Sequence, residues 1–119
     1  MTETKEGILI DASVLVDLAV YAWRLDLWTK QESGTLSLTV PRYVVRGINK
    51  MLNQYNISAV DMTGSQFDSG LACDVVDSIE VDSLPPGASI IAETVAPIVN
   101  IDGQLARHGQ VVIHTGRAK

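Results

Sequence analysis

Only one of the 119 residues is a cysteine, Cys73, so no disulfide can form within the chain and a reducing cytoplasm is the expected setting. No apolar run approaches the roughly 18 residues that a helical bilayer span requires. Lys and Arg are absent between Lys50 and Arg107, a stretch that holds Asp61, Asp68, Asp74, Asp77, Glu80, Asp82, Glu93 and Asp102. With a net charge of −5 there is no basic excess to hold nucleic acid by charge alone, so any such contact must come from a local patch or through a metal. The opening Met1-Thr-Glu-Thr-Lys-Glu-Gly7 has neither the basic region nor the cleavage site of a secretory signal. There is no internal repeat, phosphate-binding Gly-rich loop or nucleophile elbow, and His108, His114 and Cys73 do not have a zinc spacing.

What is present is 46% hydrophobic and 19% charged, which predicts one compact soluble domain over residues 1–119. Ile8 to Ile10 reads as a strand, and Ser13 as the cap of a largely buried, nearly all-apolar helix over 14–31. Thr35 to Val40 alternates like a strand, and Pro41 then sits where the first turn of a helix over 42–55 tolerates it. A loop over 57–66, a helix over 67–78 and a strand over 79–81 precede the turn Ser83-Leu-Pro-Pro-Gly87. A short helix over 88–95, a strand over 98–101, a helical stretch over 103–108 and a strand over 111–114 complete the reading. Strands alternating with helices predict an α/β fold, a mainly parallel central sheet flanked by helices.

Two strands end alike, Leu9-Ile10-Asp11 and Asn100-Ile101-Asp102. In open parallel sheets the functional crevice lies beyond the carboxyl ends of the strands, so neighbouring parallel strands would bring Asp11 and Asp102 to one site. Two carboxylates there repel unless a proton or a divalent cation lies between them, and Mg²⁺ suits such a pair. Each Asp can equally cap a helix or close a turn. Arg42, Arg46 and Lys50 form a cationic stripe on one helical face, with Asn49 and Asn53 beside it, which could follow a phosphate backbone or simply be a solvated face. Asp17, in an apolar helix, needs a partner, and Tyr21 and Arg24 lie on its side. Trp23 and Trp28 read as core or interface residues. Gly47 inside a helix points to close packing or to a functional residue that has been lost.

The segment Leu9-Ile10-Asp11-Ala12-Ser13-Val14-Leu15-Val16-Asp17-Leu18 resembles the opening of the PIN-domain family. Val40-Pro41-Arg42-Tyr43-Val44-Val45 is similar to the lead into that family's next helix. Ile98 to Ala106, followed by Val111-Val112-Ile113, resembles its closing strand, Asp, short helix and last strand. The resemblance implies a PIN-like fold and a Mg²⁺- or Mn²⁺-dependent endoribonuclease, toxin-like or RNA-processing. Asp11 and Asp102 would be catalytic and, with Glu93, would hold the metal. Arg42, Arg46 and Lys50 would bind RNA, and an antitoxin-like partner and a homo-oligomer are expected. The chain departs from the pattern at Gly47 and Ser89, where the family usually has acids. Those departures favour a second reading, a PIN-like domain without catalysis that serves as an interaction or assembly module. A receiver-type phosphoacceptor is a third reading, weakened by the lack of adjacent acids after the first strand.

Overall fold

A computed structural model describes residues 9–32, 34 and 37–117. Two helices come first, α1 (Ala12–Gln31) and α2 (Thr39–Gln54). Six strands follow: β1 (Ile57–Val60), β2 (Cys73–Val81), β3 (Ser89–Ala96), β4 (Ile98–Ile101), β5 (Gln104–Arg107) and β6 (Gly109–Gly116). The strands form two three-stranded sheets, in the orders β1-β4-β5 and β2-β6-β3. Only β2 and β6 run parallel, and every other pair is antiparallel. This overturns the expected α/β arrangement. Both helices precede all the strands, so no helix serves as the crossover of a parallel sheet.

The helices follow their apolar spacing. On α2, Pro41, Val45, Ile48 and Leu52 recur at helical intervals, with Val45 and Leu52 buried. Pro41 lies in the first turn, where a missing amide hydrogen breaks no intrahelical bond. Of the expected strand over 35–40, Thr35 and Leu36 lie outside the described residues, and Thr39 and Val40 already belong to α2. Asn56 ends the helical hairpin in the left-handed region at φ 55°, turning the chain into β1. That places β1 in a stretch expected to be loop.

Three segments expected to be helical are strands. Leu71, Val75, Val76 and Ile79 mimic helical spacing because Val76 is a bulge in β2 that shifts the alternation by one residue. β3 carries two such irregularities, between Ile91 and Glu93 and between Thr94 and Ala96, which hide its period of two. In both, the β-branched residues suit a strand. The stretch over 103–108 is the second arm of a hairpin. Asp102 and Gly103 have φ of 54° and 78°, the pair of left-handed residues that a two-residue type I′ turn requires.

Two cores result. Val16 and Ala19 of α1, Leu52 of α2, Ile57 of β1 and Val99 of β4 pack together, so the hairpin lies on the first sheet. Ile91, Val111 and Ile113 form the second, covered by Met62, Phe67, Leu71 and Cys73. Fully buried residues such as Val99, Ile91 and Val111 each contribute roughly 1.5–3 kcal/mol of burial free energy. The molecule is a flat plate of 65 × 40 × 17 Å, which leaves much of the hairpin uncovered. No helix of the described residues is long and apolar enough to cross a membrane.

Candidate functional site

The expected acidic residues stand on elements other than those the sequence suggests. Leu9 and Ile10 are exposed and irregular, and Ile8 lies outside the described residues, so Asp11 does not follow a strand. It is the N-cap of α1 instead, its Oδ1 accepting the Ser13 amide at 2.9 Å. Asp102 occupies the left-handed first position of the β4–β5 turn, and its amide donates to the Asn56 carbonyl at 2.9 Å. Glu93 is an exposed residue of β3, in the other sheet. The prediction that Asp11 and Asp102 follow neighbouring parallel strands therefore fails. Among the described residues no three or more His, Cys, Asp or Glu side chains converge as metal ligands would.

Asp11 instead has a helix-capping role. The backbone hydrogen bond from Ser13, with the Ser13 side chain adding to it, holds its carboxyl below the ordinary value of 3.8. A carboxylate with a depressed folded value stabilises the fold fully above the unfolded value, and the contribution is lost as pH falls through the folded one. Wild type should therefore melt higher than Asp11→Ala near neutral pH, and that advantage should vanish below the ordinary value of 3.8. Thermal melts across this range check it. An advantage that persists in acid would show that the carboxylate charge plays no part in the cap.

The other candidates are dispersed. Arg42, Arg46 and Lys50 stand along one exposed side of α2, as the spacing predicts, and Arg42 donates to the Thr29 carbonyl of α1 at 3.4 Å. Asp17 pairs with Arg107 of β5 at 2.7 Å rather than with Tyr21 or Arg24, across ninety residues of sequence. Both partners are well exposed, so the pair contributes little stability. His108 Nδ1 lies 3.2 Å from Asp74. Burial would raise the Asp61 carboxyl, but hydrogen bonds from Thr63 and Thr94 and the charge of Lys30 together take it below its ordinary value. Burial, with Asp74 beside it, pushes the Cys73 thiol up and away from thiolate chemistry.

Apolar side chains are also exposed along the helical hairpin. A cleft of about 420 Å³ marks the side of the hairpin that faces β1, where Ala19, Trp23 and Asp26 of α1 meet Asn49, Leu52 and Asn53 of α2. At 100° per residue, a turn around α1 from this cleft passes Ala22 and Thr29, then Leu18 and Leu25, and reaches Val14 and Tyr21. The same turn around α2 passes Val45 and Ile48 and reaches Val44, Met51, Val40 and Gly47. Because the helices are antiparallel neighbours, both arcs emerge away from the first sheet, with Tyr21 at the border, where it lines a cleft with Arg107 and His108. Val14, Tyr21, Val40 and Met51 are 54%, 67%, 69% and 57% exposed there, and nothing lies within 4 Å of where a Cβ on Gly47 would stand. Packing within the chain therefore does not explain Gly47. The apolar arc of α2 is about twice as wide as its buried stripe, a signal present in the spacing of Val40, Val44, Gly47 and Met51.

No family model matches the chain, and no curated protein matches it.

Proposed function

We propose that this chain is an assembly module that joins a second copy of itself through the outer face of the α1–α2 hairpin, forming a four-helix seam that holds two β2-β6-β3 sheets. The carrying observation is the continuous uncharged face formed by Val14, Leu18, Tyr21 and Leu25 of α1 with Val40, Val44, Gly47 and Met51 of α2. With Tyr43 at its margin it exposes on the order of 800 Å², the share that each partner contributes to a standard interface. A two-fold seam sets the same patch against itself. The face carries no acid and its α2 border is formed by Arg46 and Lys50, so two chains of net charge −5 can meet there without opposing carboxylates. Gly47 leaves a notch in the stripe that a side chain of the second copy can enter.

This reading is preferred to the metal-dependent endoribonuclease, which needed Asp11 and Asp102 after neighbouring parallel strands. A reducing cytoplasm suits a chain whose single cysteine, Cys73, has no partner. Sedimentation equilibrium over a concentration series tests the proposal. The expected result is a monomer–dimer equilibrium with a Kd of about 10 μM or tighter, whereas a monomer at every concentration up to about 1 mM overturns it.

A further inference from the structure

The second sheet has unequal edges. Along β3 the chain covers itself. The Gly64 amide donates to the Ile91 carbonyl at 2.8 Å, Ile91 donates back to Ser65 at 2.9 Å, and Phe67 donates to Ser89 at 3.0 Å. Across the sheet, β2 pairs only with β6, and among the described residues no strand lies on its outer edge. It is nine residues long, whereas β1 and β5, which edge the first sheet, have four each. Long open edges are ordinarily blunted because their free amides and carbonyls template further pairing. This one also exposes apolar side chains, Val76 at 53% and Ile79 at 45%.

Its charges determine which strand it can accept. Asp74 and Asp82, at the two ends, are paired with His108 and Arg117. Asp77 and Glu80, in the middle, have no ion-pair partner among the described residues. They stand three residues apart and so project from opposite faces of the strand. In the antiparallel register centred on Asp77, a second β2 would set Asp77 against its own copy and Glu80 against Asp74, and like charges directly opposite are destabilising. The edge is thus complementary to a strand of the other sign.

We propose that the β2 edge binds an extended basic segment of another protein as an added strand, through backbone hydrogen bonds and two cations three residues apart that meet Asp77 and Glu80. A short apolar residue between the cations would lie beside Ile79. The Ser78 amide, already donating to Asp77 Oδ1 at 2.9 Å, is the one group of this edge that must exchange partners. The proposal concerns the single chain and does not depend on the hairpin seam.

The probe is a labelled synthetic peptide, Thr-Val-Lys-Val-Thr-Lys-Val-Thr with blocked ends, followed by fluorescence anisotropy against the full chain. Two further peptides of equal charge carry N-methyl groups on alternate residues, one on the odd set and one on the even set. Only one edge of an added strand faces β2, so one methylated peptide should weaken by about tenfold or more while the other binds as the parent does. Asp77→Lys with Glu80→Lys should weaken the parent by about tenfold or more. No binding at about 1 mM protein overturns the proposal. Equal behaviour of the two methylated peptides, which indicates attraction by charge alone, also overturns it. The methylated pair uses the native protein, so a folding defect in the variant cannot imitate the expected result.

Discussion

Val44→Glu combined with Met51→Glu should convert the protein to a monomer at every practical concentration. Both side chains are exposed in the single chain, at 41% and 57%, so neither holds its core together. Glu also suits a helix better than Val. The folded chain should therefore keep its far-UV circular dichroism and its stability to within about 0.5 kcal/mol. Across a two-fold seam each substitution enters twice, so four carboxylates would be buried in an apolar interface. Truncating or mismatching a desolvated polar group costs about 2–5 kcal/mol, so the dissociation constant should rise at least about a thousandfold. Sedimentation velocity reads the change directly. Glu80→Gln, on β2 and away from the hairpin, is the control and should leave association intact. If the double variant still dimerises, the seam lies elsewhere on the molecule.

Gly116→Ala should be among the most damaging single substitutions. A Cβ at Gly116 would stand 1.8 Å from the Pro85 carbonyl oxygen and 2.5 Å from its carbon, both backbone atoms. The chain there cannot yield easily. Pro85 and Pro86 fix their own φ, and the Ala88 amide closes the turn on the Pro85 carbonyl at 3.0 Å, with Gly87 at φ 84°. Moving that turn away would break the bond from the Gly116 amide to the Ala88 carbonyl at 2.8 Å and loosen the start of β3 where it joins β6. Overpacking of this kind costs about 3 kcal/mol or more, a large share of the stability of a small domain. The urea midpoint should fall by more than about 1 M. A variant as stable as wild type would mean that the 84–88 turn does not rest on β6 in solution.

The sequence and the structure agree where one physical signal acts alone. Both helices were legible because apolar residues at intervals of three and four met no competing pattern. β4 and β6 were legible as short apolar runs. β2 and β3 were not, because bulges at Val76, Ala92 and Val95 displace the alternation and leave a spacing that imitates a helix. Asp102-Gly103 is a hairpin signal in its own right, yet read as a strand end it looked like half of a metal site. The sequence reading assigns the helix cap to Ser13, two residues too late: Asp11, for which capping is one of two equal readings, is the N-cap and accepts the Ser13 amide.

The sequence by itself determined the two helices, the absence of a disulfide and the separation of basic from acidic segments, because these depend on neighbours within a few residues or on composition. Tertiary structure alone decided the rest. Arg107 reaches Asp17 only because the fold brings the end of β5 beside α1, and whether Val40, Tyr21 and Met51 are core or surface depends on which elements arrive to cover them. The first sheet covers one side of the hairpin and no described element covers the other. Periodicity shows that a face is apolar, but only the arrangement of the whole chain shows whether that face is already occupied.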